Sequence, residues 1–202
     1  MTNGLVLLHG KPGSGKSSCA SEAIQNTISP RYNHLEHFSI GSHLRAIASG
    51  DIKSEFERQV KKQTEALSEH KPIDNDVVRS VVSEYMGKTA SGSLIVIDGY
   101  PKYISQVRGF EEDAEKNDSA ILGIMHVEIA DNIAVERILA RGTREGELSV
   151  SVELAKERLL EHASGAHMTT QYMATRYPIK NIDGTLPMHG VISLMRDTLQ
   201  LF

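Results

Sequence analysis

The sequence predicts an α/β fold, a parallel sheet flanked by helices, and three observations carry that expectation. Short apolar runs bounded by polar residues or glycine recur along the 202 residues. Segments with apolar residues at helical spacing lie between them. The first run leads directly into Gly10-Lys11-Pro12-Gly13-Ser14-Gly15-Lys16-Ser17. An apolar run without alternation reads as a strand buried on both faces, as strands of parallel sheets are.

The first strand is Leu5 to Leu8, and the octapeptide after it satisfies G-x-x-x-x-G-K-[ST]. Glycines at 10, 13 and 15 let the backbone turn tightly and aim its N–H groups at phosphate oxygens, while the helix that follows adds its positive N-terminal end. Lys16 is placed to reach β- and γ-phosphates and Ser17 to offer a hydroxyl to Mg²⁺. Phe38 with its preceding residues forms a second strand, Leu94 to Ile97 a third, Ile121 to Ile129 a fourth and Ile179 to Ile182 a fifth. Ile73, Val77, Val78, Val81, Val82 and Tyr85 share one helical face, as do Met188, Val191, Ile192, Met195 and Leu199. Two stretches break the alternation. Residues 40–88 hold successive helical segments without a strand, and residues 142–152 form a polar loop rich in Gly and Glu, so each is expected to be a mobile insertion.

The third strand ends in Asp98, which a nucleotide-binding sheet would place at its carboxyl edge beside the phosphate loop, where it suits Mg²⁺ or its waters. Taken alone, the same residue reads equally well as the cap of the following turn.

Composition narrows the partners. With 22 Lys and Arg against 26 Asp and Glu, the net charge is −4, which gives no general attraction to nucleic acid or an anionic membrane, so any anion site must be local. The single cysteine, Cys19, leaves no internal disulfide framework and no cysteine-rich zinc site, and its expected place is inside the first helix. Met1-Thr2-Asn3-Gly4 enters the first strand without a basic leader, and no apolar stretch reaches bilayer length. A cytoplasmic monomer is expected.

Asp98-Gly99-Tyr100-Pro101-Lys102 followed by Gln106 resembles the D-G-[FY]-P-R-x-x-x-Q segment of the nucleoside monophosphate kinases, adenylate kinases above all. Ser39-Ile40-Gly41-Ser42-His43-Leu44-Arg45 resembles that family's S-T-G-D-x-L-R acceptor segment. Lys71-Pro72-Ile73-Asp74-Asn75-Asp76-Val77-Val78 is similar to the stretch closing its monophosphate-binding part. Residues 131–141, Arg158-Leu159-Leu160-Glu161 and Ile182-Asp183-Gly184-Thr185 continue the likeness over nearly the whole chain. The short span from Arg141 to Arg158 resembles the short-lid class.

The resemblance implies a single P-loop NTPase-type domain of five parallel strands. Its core would comprise residues 1–39, 89–141 and 153–202, with a monophosphate-binding insertion at 40–88 and a short lid at 142–152. It implies ATP contacts from Gly10, Pro12, Gly13, Ser14, Gly15, Lys16, Ser17, Ser18 and Arg137, the last stacking on the donor base. AMP contacts would come from Ser39, Gly41, Arg45, Ile73, Gly99, Lys102 and Gln106. Lys16, Arg141, Arg144, Arg158 and Lys102 would act on the phosphates, and Ser17 and Asp98 would hold Mg²⁺, partly through water. The implied activity is ATP plus AMP to two ADP. Phosphoryl transfer suits such a set, because it requires alignment and charge neutralisation, and an anionic acceptor needs no general base. The Gln106 amide offers a donor and an acceptor side by side, complementary to adenine.

Three departures bear on the acceptor and the lid. Lys102 replaces the family arginine, exchanging a bidentate fork for a point charge. Ile40 and Ser42 stand where the family has threonine and aspartate. Arg144 is offset from the usual lid arginine, and Glu145-Gly146-Glu147 replaces the paired aspartates. A kinase for another monophosphate or small phosphate acceptor, or a weakly active regulatory protein of the same fold, therefore remains open. Nine histidines raise the question of zinc. His34 and His37, three apart in a strand, point to opposite faces with no Cys or Glu to complete a ligand set, so structural or surface roles and no zinc are expected. His43, beside the acceptor segment, is the exception.

Overall fold

The computed structural model describes residues 2–25, 27–67, 74–144 and 151–202. Five strands form one sheet: β1 (Asn3–Gly10), β2 (His34–Ser39), β3 (Ser93–Asp98), β4 (Ser119–Glu128) and β5 (Ile179–Asp183). They lie in the order β2-β3-β1-β4-β5, and every neighbouring pair is parallel. The chain leaves β1 toward β2 on one side and leaves β3 toward β4 on the other. The order therefore reverses between β1 and β3, and the crevice beyond their carboxyl ends is where sheets of this kind bind ligands. Leu8 pairs with Asp98 at that edge.

Two-residue periodicity divides β1 between two cores. Leu5 and Leu7 join Phe38, Ile95, Ile97 and Ile124 against α4 (Asn75–Lys88) and α5 (Ile104–Lys116), through Val81, Val82, Met86, Val107 and Phe110. Val6 and Leu8 join Leu94, Val96, Met125 and Val127 against α1 (Lys16–Gln25) and the C-terminal helix α9 (Met188–Leu201). All eight residues of β1 are buried, and each such aliphatic side chain contributes roughly 1.5–3 kcal/mol of hydrophobic stabilisation. Cys19 is buried in α1, as its sequence context suggests.

Between β2 and β3 the described residues form α2 (Ile40–Ser49), α3 (Glu57–Leu67) and α4, without a strand. Amphipathic spacing seats α2 through Ile40, Leu44 and Ile47, and Gly50, at φ +88° in the left-handed region, ends it by donating its N–H to the Ile47 carbonyl. The fourth strand begins and ends slightly earlier than its apolar run suggests, because Ser119 and Ala120 already pair with Asn3 and Gly4. Helix α6 (Asp131–Arg144) extends into the stretch read as a polar loop, and residues 145–150 of that stretch lie outside the described residues. Helix α7 (Val152–His162) starts with Ser151 accepting from the Leu154 N–H, and a π-helical turn, Ala163–His167, joins it to α8 (Met168–Ala174).

Candidate active site

The loop after β1 has the backbone that its glycines predict. Gly13 and Gly15 sit at φ +81° and +78°. A side chain at Gly13 would meet the Ala134 carbonyl at 2.6 Å, and one at Gly10 the Val127 carbonyl at 2.6 Å, so larger residues would push the loop off α6 and β4. Lys11 fastens the loop from outside, its ammonium 2.5 Å from Asp131 Oδ1 and 3.1 Å from the Ile129 carbonyl. The Lys16 ammonium lies 3.4 Å from the Lys11 carbonyl.

At the end of β3, Asp98 accepts a hydrogen bond from the Ser17 hydroxyl. His37 on β2 brings Nε2 to 3.5 Å from the same carboxylate. Burial opposes ionisation of Asp98, but His37, Lys16 and the Ser17 hydroxyl outweigh it and hold the carboxyl below the usual range. An ionised carboxylate beside a hydroxyl is a hard oxygen donor pair, which fits Mg²⁺, an ion commonly held by one or two carboxylates together with substrate phosphates. Among the described residues no group of three or more His, Cys, Asp and Glu is arranged to hold a metal. His37, expected in a structural or surface role, instead reaches the Asp98 carboxylate. The spacing rule put it on the opposite face from His34, the face it shares with Ser39, which the pairing of β2 with β3 brings level with Asp98.

A cleft of about 1430 Å³ opens over this edge. It exceeds the roughly 300–1,000 Å³ of a single small-ligand pocket, leaving space for two nucleotides. Its walls include the loop from Pro12 to Ser18, together with Ser39, Arg45, Arg137 and Arg158. Arg137 donates to the Gly184 carbonyl at 2.9 Å, and Arg45 to the Ser42 hydroxyl at 3.2 Å. His43 also lines the cleft, edge-on to Phe38 and Tyr85, and burial lowers its pKa. No carboxylate occurs among the described residues lining the cleft. The side chains of Arg141 and Arg144, and the whole of Ile73, lie outside the described residues.

Two residues expected on the acceptor side have other partners. The Gln106 amide is buried. Its Oε1 accepts from the Lys102 N–H at 2.6 Å and the Tyr103 N–H at 3.1 Å, and its Nε2 donates to Asn75 Oδ1 at 2.6 Å. It thus caps the start of α5 from the third position of the helix, accepting from the N-cap N–H of Tyr103 while the Gln106 backbone N–H donates to the Tyr103 carbonyl at 2.9 Å. The Lys102 ammonium sits 2.5 Å from Glu161 Oε1 on α7 rather than in the cleft. Ile40, without the hydroxyl of a threonine, packs 3.1 Å from where a side chain on Gly99 would start, at the φ +90° turn after Asp98.

The AAA domain family matches residues 9–167. Adenylate kinase of Campylobacter jejuni is 33% identical over 139 residues, 68% of this chain and 67% of the relative. Adenylate kinase of Helicobacter pylori is 33% identical over 138 residues, covering 68% and 67%. Adenylate kinase of Xanthomonas euvesicatoria is 24% identical over 196 residues, 96% of this chain and 98% of the relative. The chain belongs to the adenylate kinase-like nucleoside monophosphate kinases. It is a P-loop phosphotransferase of that family, built on a five-stranded parallel sheet. Nucleotides are therefore its substrates. Among the described residues no helix is long and apolar enough to cross a membrane.

Buried polar residues supply what the motifs did not indicate. His9, the last residue before Gly10, holds Thr170 at 2.7 Å, and burial pushes its pKa down to about 3. His162, also buried, is lowered to about 4 by burial and by Lys16. These pairings are over 150 residues apart for His9 and Thr170, a separation that no local pattern encodes.

Proposed function

We propose that this kinase transfers the γ-phosphoryl group of ATP to AMP, giving two ADP, in the presence of Mg²⁺. The observation that carries the reading is the cleft itself, which gathers Lys16, Arg45, Arg137 and Arg158 over the Ser17–Asp98 pair. The relatives' name, adenylate kinase, supports the same acceptor. Loop N–H groups and Lys16 would bind the donor phosphates, Arg137 the donor nucleoside, and Arg158 with Arg141 and Arg144 the moving phosphoryl group. Ser39, Gly41, Arg45, Ile73 and Gly99 would hold the acceptor, joined by Gln106 and Lys102 once they leave their present partners. Ser17 and Asp98 would hold Mg²⁺, which when bound neutralises charge shared by the β- and γ-phosphate oxygens. Closure of the 40–88 insertion and the 142–152 segment would exclude water, the competing acceptor. We read the chain as a monomer of the cytoplasm that uses no zinc.

A second reading has an observation in its favour. With the Gln106 amide committed to the α5 cap and Asn75, and Lys102 on Glu161, the acceptor side is short of adenine-specific groups, which favours another monophosphate. A coupled assay with ATP, Mg²⁺ and a panel of nucleoside monophosphates tests both. Fastest turnover with AMP supports the first, and preference for another monophosphate replaces it with the second.

A further inference from the structure

Two adjacent threonines at the start of α8 reach the loop after β3 and the end of β1 that leads into the phosphate loop. Thr169 is fully buried, and its one hydroxyl hydrogen is shared between the Lys102 carbonyl at 3.1 Å and the Gly165 carbonyl at 3.1 Å. Thr170, 3% exposed, places its hydroxyl 2.7 Å from the Ala166 carbonyl and 2.7 Å from His9 Nδ1. A hydroxyl has one hydrogen. The direction of the His9 contact follows the imidazole tautomer: with the Thr170 hydrogen given to Ala166, Nδ1 carries the ring proton and donates to Thr170, and Nε2 has no hydrogen-bond partner among the described residues in either case. Consecutive residues of a helix project about 100° apart, so one turn can face both loops.

The approach to the acceptor side is unusually close. A side chain at Gly165, in the π-helical turn, would start 2.8 Å from Tyr103 Cε1 and 3.3 Å from the Lys102 carbonyl. Single π-turns inside α-helices are frequent at functional sites. Here the turn sets α8 against the loop after β3, while α7, on its other side, carries Arg158 to the cleft and Glu161 to Lys102.

We propose that Thr169 and Thr170 are positioning residues that hold the acceptor loop and the phosphate loop in register for transfer, Thr169 through the Lys102 carbonyl and Thr170 through His9. The assignment rests on the phosphotransfer reading above. Each threonine governs one substrate. Loss of the Thr170 bond frees the residue that leads into Gly10 and disturbs ATP, whereas loss of the Thr169 bond frees the loop carrying Lys102 and disturbs the acceptor.

The test compares Thr169→Val, Thr170→Val, the two Ser variants, His9→Leu and His9→Leu/Thr170→Val. Steady-state kinetics use ATP with the monophosphate that the parent accepts best, alongside calorimetric titration with ATP and melting curves. Thr170→Val is expected to raise the KM and Kd for ATP by about fivefold with the acceptor KM within twofold, and Thr169→Val to do the reverse, the scale of one lost hydrogen bond. Serine should restore the parent values, and the double variant should be no worse than His9→Leu alone. Equal effects on both substrates, failure of serine to rescue, or loss that merely follows the melting temperature would overturn the proposal. If the parent phosphorylates no monophosphate, the proposed function falls. The titrations still decide this inference: weaker ATP binding in Thr170→Val but not in Thr169→Val sustains it, and any other pattern removes it.

Discussion

Lys102 Nζ lies 2.5 Å from Glu161 Oε1, joining the loop after β3 to the last turn of α7. Both side chains are partly exposed, so the pair adds little to stability, about 0–1 kcal/mol at most. Its importance is positional, because it holds the Lys102 ammonium away from the cleft.

Releasing that cation should strengthen acceptor binding. Glu161→Gln is expected to lower the acceptor KM by a factor of about two to five, with the ATP KM unchanged and the melting temperature nearly so. Lys102→Met should bind the acceptor poorly, while Lys102→Arg should keep or improve transfer through its bidentate fork, with a gain on the order of 1 kcal/mol. Steady-state kinetics of the four proteins check this. Indistinguishable acceptor constants would place Lys102 outside the reaction.

Lys16→Ala should reduce transfer by about 2.7–4 kcal/mol of transition-state stabilisation, the usual scale for one preorganised electrostatic contact. Its side chain is only partly buried, so the melting curve should stay close to that of the parent. Activity within twofold of the parent would contradict the role given to the loop.

Gln106→Ala removes one acceptor shared by two backbone N–H groups and the partner of Asn75. A loss of about 1–2 kcal/mol of stability is expected, as for a helix cap, together with a raised acceptor KM. Chemical denaturation measures the first. If stability is unchanged and only the acceptor KM moves, the Gln106 cap is dispensable and the amide serves the base alone.

His9 and His162 set a direction for acid sensitivity. Their folded pKa values, about 3 and about 4, lie below the usual 6.5, so below pH 6.5 the unfolded chain binds protons that the folded one does not. Stability should then fall as the pH drops through 6.5, by up to about 1.4 kcal/mol per pH unit for each histidine, until the folded forms also protonate. His9→Leu should flatten the denaturation midpoint against pH between 6.5 and 4. Asp98, held below its usual 3.8, acts with the same sign only at more acid pH.

What the sequence made legible was what is local. The eight residues from Gly10 to Ser17 contain both the loop and its geometry, and an apolar strand ending in Asp98 contains its own position at the sheet edge. The division of β1 into two cores follows from simple alternation. The hidden parts were pairings between distant segments. Nothing near Gln106 announces that two backbone N–H groups and Asn75 occupy its amide, since a surface glutamine and a capping one look alike in a string of letters. Nothing near His9 points to Thr170, and His37 reached Asp98 only because β2 and β3 pair in a register that brings Ser39 level with Asp98. The glutamates of the 142–152 segment suggested a loop where α6 still runs to Arg144, because helix propagation from Asp131 outweighs the glycine at 142.

The charge of the cleft has a kinetic consequence. The molecule as a whole is anionic, yet its cleft offers Lys16, Arg45, Arg137 and Arg158 over the carboxylate of Asp98, which lies beneath Ser17. The net charge gives no general attraction for a nucleotide polyphosphate, whereas the basic side chains of the cleft attract it locally. Capture is therefore a matter of long-range guidance over about a Debye length, some 8 Å at physiological ionic strength. Added salt should slow encounter well before it disturbs anything inside the site, and the same field, by retaining anionic products, would slow their escape.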